Sequence, residues 1–230
     1  MSSIVIILLA VLIFTALSIG GIYLLYKILV NFQPSNSKIK QDLIKLRSEI
    51  EPWVDQLVPW QNDELELLSL KQTNRVLKKG IITSVKGVFT SIYHEPMIAY
   101  AYKRYFAGGA NAILYARTSH HEFSYRIRKD GVQIHIDNQF IGQLKNGGLL
   151  YSASTNRLIA RINRDDVSGF LPVVVGEREL GSLSKPSETM STNTRAFQFL
   201  NEKITQEEEA LLLSMSILEM VGNELPPVKK

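Results

Sequence analysis

The stretch from Thr205 to Val221 constrains this chain most, because it reads as a helix with no face for water. Thr205 offers a hydroxyl N-cap and Glu208 stands three residues on, the reciprocal pair of a capping box. Glu207, Glu208 and Glu209 add negative charge at the positive end of the helix dipole. From Ala210 to Leu218 no residue is charged, and Leu211, Leu212, Leu213, Met215, Ile217, Leu218, Met220 and Val221 spread around the whole helical period. Gly222-Asn223 supplies a left-handed C-terminal cap, and Pro226-Pro227 forbids continuation. With about 12 apolar residues the helix is too short to span a bilayer, so it needs a protein core around it.

The material for that core lies upstream. From about Val76, short runs rich in Ile, Val, Tyr, Phe and Thr recur between turn residues: Ile81 to Tyr93, Ile98 to Phe106, Ala112 to Thr118, Glu122 to Arg128, Val132 to Ile136, Leu149 to Ala153, Leu158 to Asn163 and Leu171 to Val175. Such spacing predicts a closed or sandwiched antiparallel sheet. Asp130-Gly131, Asp137-Asn138, Asn146-Gly147-Gly148 and Gly176-Glu177 are hairpin punctuation. Asp137 to Leu144 (DNQFIGQL) and Gly176 to Leu183 (GERELGSL) share a turn, a return strand and an [IL]-G-x-L ending, which predicts two similar hairpins.

At the other end, Ile4 to Tyr26 is free of charge, and the first charged residue is Lys27. At roughly 20 residues or more, this run reaches across a hydrocarbon core of about 30 Å. A cleaved signal peptide is the rival reading. Against it, Met1-Ser2-Ser3 carries no Lys or Arg, the apolar run is long, and no small-x-small cleavage site precedes Lys27. Lys27, Lys38, Lys40, Lys45 and Arg47 all follow the span, so the positive-inside rule predicts an outside N-terminus and a cytoplasmic domain. After Pro34, with Asn36 or Ser37 as N-cap, Ile39, Leu43, Leu46 and Ile50 form one helical stripe that Pro52 ends. Two heptads are too few for a stable coiled coil, so this linker helix is expected to rest on the domain or on the headgroups. Trp53 and Trp60 suit either a membrane interface or the edge of the domain, and a short helix is expected from about Asp63 to Leu70, with Asp63 and Glu66 capping it.

The expected fold class is therefore an N-terminal transmembrane helix followed by a mainly-β (β+α) domain, an antiparallel barrel-like sheet enclosing a hydrophobic C-terminal helix. The expected divisions are a transmembrane anchor (1–30), a helical linker (31–75), a barrel domain ending in the core helix (76–225) and a tail (226–230). This combination resembles the tubby C-terminal-like superfamily, which includes tubby, the phospholipid scramblases and the plant LURP-one-related proteins. The resemblance covers about Val76 to Val221 and rests on architecture, with Thr205 to Val221 in the place of the enclosed helix. Two departures keep scramblase activity and calcium dependence from following. The anchor here is N-terminal, and Asp165-Asp166 falls far short of an acidic calcium loop.

The sequence carries little catalytic chemistry. There is no cysteine, which excludes disulfides, thiolate metal sites and a cysteine nucleophile. Neither a phosphate-cradling glycine motif nor a G-x-S-x-G elbow occurs, and Gly108-Gly109 reads as a turn. His120-His121-Glu122 is the one cluster of metal-ligand types, but consecutive strand residues point to opposite faces, so it reads as a turn before a strand. His94 and His135 stand alone. No catalytic residue, cofactor or metal is therefore expected. Lys+Arg 26 against Asp+Glu 22 gives a mild net charge of +4 spread along the chain, which does not imply a nucleic-acid partner.

Basic residues are the better lead. Strand alternation in Glu122 to Lys129 sets Phe123, Tyr125 and Ile127 on one face and Ser124, Arg126 and Arg128 on the other, which predicts that both arginines face solvent. Lys103-Arg104 sits among Tyr100, Tyr102, Tyr105 and Phe106, a mixture suited to a headgroup region. Lys103, Arg104, Arg126 and Arg128 are thus the lipid-binding candidates. The expected function is a non-enzymatic binding module at the membrane, for an anionic lipid headgroup or a membrane protein partner. The alternatives are a membrane-tethered hydrolase using His120, His121 or His135, and a structural subunit of a membrane complex.

Overall fold

The computed structural model describes residues 2–32, 34–61, 64–80, 82–105, 111–145, 147–164, 169–185 and 195–223. The expectations at Asp63, Phe106, Gly108-Gly109, Asn146, Asp165-Asp166 and Pro226-Pro227 lie outside the described residues.

Helix α1 runs Ser2–Phe32 and α2 runs Asn36–Val54. Twelve strands follow: β1 Leu68–Lys78, β2 Thr83–Ser91, β3 Pro96–Arg104, β4 Ala112–Arg117, β5 Glu122–Arg128, β6 Gly131–Ile136, β7 Gln139–Lys145, β8 Leu149–Ser152, β9 Leu158–Ile162, β10 Phe170–Val175, β11 Arg178–Ser184 and β12 Phe197–Leu200. Helix α3, Gln206–Asn223, ends the described chain. The strands form one antiparallel meander in chain order. It nearly closes on itself, because Ser69 bridges Arg195 and the Ala196 N–H donates to the Leu68 carbonyl at 2.7 Å.

α3 fills the inner side of this sheet. The capping box forms as expected: the Thr205 N–H donates to Glu208 Oε2 (2.9 Å) and the Glu208 N–H donates to Thr205 Oγ1 (3.3 Å). Leu212, Leu213, Met215 and Ile217 are buried in one cluster with inward residues such as Phe123, Tyr125, Ile134 and Leu183, while Leu211 and Leu218 are partly buried against it. Tyr125 brings a polar tip into this core and donates its hydroxyl to the Ser214 carbonyl at 2.8 Å.

The two related hairpins match down to their irregularities. Ile134 pairs with Gly142 and Val173 with Gly181, and a bulge follows each pair, at Ile134/His135 and Val173/Val174. The residue before each glycine, Ile141 or Leu180, gives its carbonyl to an N–H beyond the next strand or hairpin. Each glycine also lies where the following strand comes closest, under the carbonyls of Tyr151 and Phe199.

Four local expectations are corrected. Helix α3 runs through Gly222 to Asn223, and Gly222 keeps a negative φ, so the left-handed cap expected there does not form at Gly222. β1 begins at Leu68, so the segment expected as a helix to Leu70 is a 3-10 turn, Glu64–Leu67, running straight into a strand. Its polar middle, Lys71 to Arg75, is tolerated because β1 is an edge strand with one largely exposed side. The N-cap of α2 is Ser35, whose Oγ accepts the Lys38 N–H at 3.2 Å. Pro52 sits within the last turn of α2, and the helix continues to Val54.

Helix α1 contains Val5–Tyr26, a segment long and apolar enough to cross a membrane, with mean hydropathy 2.8. Its described side chains are exposed, so no part of the barrel covers them.

Candidate functional site

α2 lies on the outside of the sheet. Ile39, Leu46 and Ile50, with Leu57 beyond the helix, form a second apolar cluster with Val88, Ala99, Ala101, Tyr105, Ile113 and Tyr115, so β2 to β4 are buried on both faces. Of the two resting places left open for the linker helix, the domain is the one observed. Near the N-terminal end of α2, buried Asp42 receives Lys103 Nζ at 2.8 Å and the Tyr105 hydroxyl at 2.8 Å, with Lys38 at 3.4 Å. Burial alone drives the Asp42 pKa upward, but the bonds from Lys103 and Tyr105 and the charges of Lys103 and Lys38 outweigh it and hold the carboxyl below its usual range. Tyr105 is pushed far upward by its burial and by its bond to that carboxylate. Farther along, Lys86 lies over the Trp53 ring, 5.4 Å from its centroid. Trp53 is thus held against the domain, and buried Trp60 fills an edge of it.

Between α2 and strands β1 to β3 runs a cleft of about 260 Å³ whose lining includes Lys45, Lys78, Lys86, Lys103, Asp42 and Glu49. Lys103 is taken by Asp42, and Lys86 reaches Glu49 only at 4.0 Å. Lys45 and Lys78 have no carboxylate partner among the described residues. The cleft therefore carries excess positive charge.

The four basic candidates do not form one exposed patch. Arg128 is exposed as expected. Lys103 is largely occupied by Asp42. Arg104 and Arg126 are buried, which corrects the expectation that Arg126 faces solvent beside Arg128. Alternation places Arg126 on the outer face, but there it is met by Tyr105 and Asn111. Its guanidinium donates to the Ala112 carbonyl (3.0 Å), the Ile127 carbonyl (3.2 Å) and Asn111 Oδ1 (3.0 Å), and lies 5.9 Å from the Tyr105 ring centroid. Burial and the nearby Arg128 charge lower its pKa, partly offset by Tyr105.

The histidines divide. His120 and His121 share a polar cleft of about 720 Å³ with Trp60, Gln61, Glu202, Gln206 and Glu209, at the barrel end where α3 starts. His121 Nδ1 pairs with Asp137 Oδ2 at 2.7 Å, and Asp137 Oδ1 also accepts the Glu122 N–H at 2.9 Å, so this pair ties the β4–β5 turn to the β6–β7 turn. His120 meets Trp60 edge-on, ring centroids 5.7 Å apart, while the Trp60 indole N–H donates to buried Glu209 Oε1 at 2.9 Å. His135 lies elsewhere, tilted against Phe140, and burial lowers its pKa against an opposing bond to the Ser124 backbone. No group of three metal-ligand side chains able to hold an ion occurs among the described residues.

Sequence reasoning missed Asp42 and the α2 cleft. The available signal was the near-continuous apolar character of β3 and β4, which marks strands covered on both faces. Comparison with protein-family profiles, curated proteins and solved structures finds no match.

Proposed function

We propose that the protein is a single-pass, membrane-anchored, non-enzymatic binding module whose barrel domain takes an anionic lipid headgroup beside the linker helix. The observation that carries this reading is the docking of α2. Asp42, Lys103, Tyr105 and the apolar stripe fasten α2 to the sheet. Only Gln33, Pro34 and Ser35 separate it from α1, a reach on the order of 10 Å. The lysine cleft is thereby held at the barrel end nearest the apolar span, and its size and charge suit a phosphate-bearing headgroup. In this reading the N-terminus is outside and the domain cytoplasmic, as the one-sided Lys and Arg indicate. The nearly closed sheet around a C-terminal helix supports the likeness to the tubby C-terminal-like superfamily.

The test is native mass spectrometry of the full chain in mild detergent, supplied with phosphatidylglycerol or phosphatidylcholine. Retention of the anionic lipid, reduced in Lys45→Glu/Lys78→Glu, is expected. Equal retention of both lipids counts against the headgroup site, and a stoichiometric co-purifying membrane protein moves the reading to a protein partner.

One observation favours a second reading, a membrane-tethered hydrolase: the polar cleft that holds His120 and His121, with His121 oriented by Asp137 as a general base. Turnover of chromogenic esters or phosphoesters by the full chain, abolished in His121→Ala, would support it.

A further inference from the structure

In an antiparallel meander of twelve strands, the turns alternate between two ends of the barrel. α2 identifies the ends. Its N-terminal part meets Lys103 and Tyr105 where β3 finishes, and Val58, just past its C-terminus, donates its N–H to the Pro96 carbonyl where β3 starts. The end nearest the anchor is therefore the one where β1 passes to β2, β3 to β4, β5 to β6, β7 to β8, β9 to β10 and β11 to β12.

The two rims differ in charge. On the anchor-side turns Lys78, Lys79, Arg128, Lys129 and Lys145 are exposed, and Asp130 is the one exposed carboxylate among their described residues. Just behind this rim, the buried Arg126 is bonded to carbonyls and has no carboxylate partner among the described residues, so its charge adds to the field there without touching a ligand. The opposite rim exposes five carboxylates, Glu95, Asp137, Glu177, Glu202 and Glu207, against the exposed Arg157 and Lys203, and its Arg178 is engaged by Glu208 at 2.7 Å.

We infer that the protein stands on the anionic leaflet of the membrane that holds it, anchor-side rim down and acidic rim turned to the aqueous side. This rests on the reading of α1 as a membrane span and adds to it a fixed orientation and a defined contact surface. Each exposed Lys or Arg at an anionic surface strengthens partition by about fivefold. The tether makes the contact intramolecular, so a handful of weak contacts suffices to orient the barrel. A soluble polyanion has neither that advantage nor a reason to find the basic rim at the tethered end.

The absence of cysteine makes the test clean. Asp130→Cys on the anchor-side rim and Ser154→Cys on the opposite rim, each in the full chain, are labelled with a fluorophore and reconstituted into nanodiscs carrying a nitroxide-headgroup lipid quencher. The discs are phosphatidylcholine alone or with phosphatidylglycerol. Severalfold stronger quenching at position 130 in the anionic discs is expected, with no change at position 154. The quenching should fall as salt shortens the Debye length from about 8 Å to about 3 Å, and should be lost when Lys78→Glu, Lys79→Glu and Lys129→Glu are added. Quenching at position 130 that ignores lipid charge, salt and the three substitutions overturns the inference, as does stronger quenching at position 154. A chain that never enters the discs fails the anchor reading itself, whereas a chain that enters them without rim quenching fails only this orientation.

Discussion

At the scale of residues, Asp42 carries the attachment of the linker helix. A carboxylate this buried is stable only because Lys103 and Tyr105 satisfy it, so its removal leaves a cation and a buried hydroxyl facing a poorer partner. Asp42→Asn is expected to cost about 1 to 3 kcal/mol, discounted because the Lys103 side chain keeps some access to solvent. Urea unfolding, with limited proteolysis between α2 and β1, measures it. The pH dependence has a definite sign. Because the folded pKa of Asp42 is depressed, its contribution is present above the unfolded value of about 3.9 and is lost as pH falls through the lower folded value. The buried tyrosines act at the opposite limit. Burial raises Tyr102 and Tyr115 to about 12, so stability is full below the unfolded tyrosine value of about 10 and declines as pH rises toward 12. The tyrosinate absorbance of these two rings, obtained as the difference from a Tyr102→Phe/Tyr115→Phe chain, is expected to appear together with unfolding. Ionisation of these two rings in the still-folded chain near pH 10 would contradict their burial.

At the scale of elements, α3 and the paired hairpins test how tightly the sheet is specified. Leu212 is fully buried in the main core, and Leu212→Asp places an unpaired charge there, so loss of a cooperative melt is expected. The two shared glycines should separate by their surroundings. A Cβ at Gly142 would collide with the rigid carbonyl of Tyr151, whereas at Gly181 the nearest atom, the Phe199 carbonyl oxygen, is 3.2 Å away and little must move. Gly142→Ala is therefore expected to cost several times more than Gly181→Ala, about 2 to 4 kcal/mol against 1 or less, on the scale of overpacked cores, by urea denaturation. Much of this level was legible beforehand. The capping box, the apolar helix, the α2 stripe and the alternation of β5 depend on local period and chemistry, which a sequence displays. β1 and β12 were not legible, because one is polar through Lys71 to Arg75 and the other is only Phe197–Leu200, and both are edge strands whose pairing depends on distant neighbours. Arg126 was misread for a related reason: alternation gives the face of a strand, but what covers that face comes from another part of the chain.

At the scale of the whole molecule, the chain divides its apolar surface in two ways. α3 is apolar all round from Ala210 to Leu218 and is covered by protein, whereas Val5–Tyr26 is apolar all round and its described side chains are exposed. An apolar helix of that length exposed to water is strongly unfavourable, and a bilayer is the solvent that satisfies it. With α1 read as a membrane span, charge predicts the side on which the barrel lies: Lys38, Lys40, Lys45 and Arg47, together with the anchor-side turns at Lys78, Lys79, Arg128 and Lys129, all lie after that segment. Positive residues near the end of a span resist translocation, so the domain is expected in the cytoplasm and Ser3 outside. Single cysteines at Ser3 and at the exposed Ser154, in a chain with none of its own, report this directly through an impermeant maleimide. On intact cells Ser3→Cys is expected to react and Ser154→Cys to stay protected until the cells are opened. Reaction at Ser154→Cys alone would invert the topology, and the basic rim would then face the other leaflet. Reaction at both positions on intact cells would mean that the apolar segment does not hold the two ends on opposite sides of the membrane, and the short separation of α1 from α2 would no longer argue for a barrel at the cytoplasmic face.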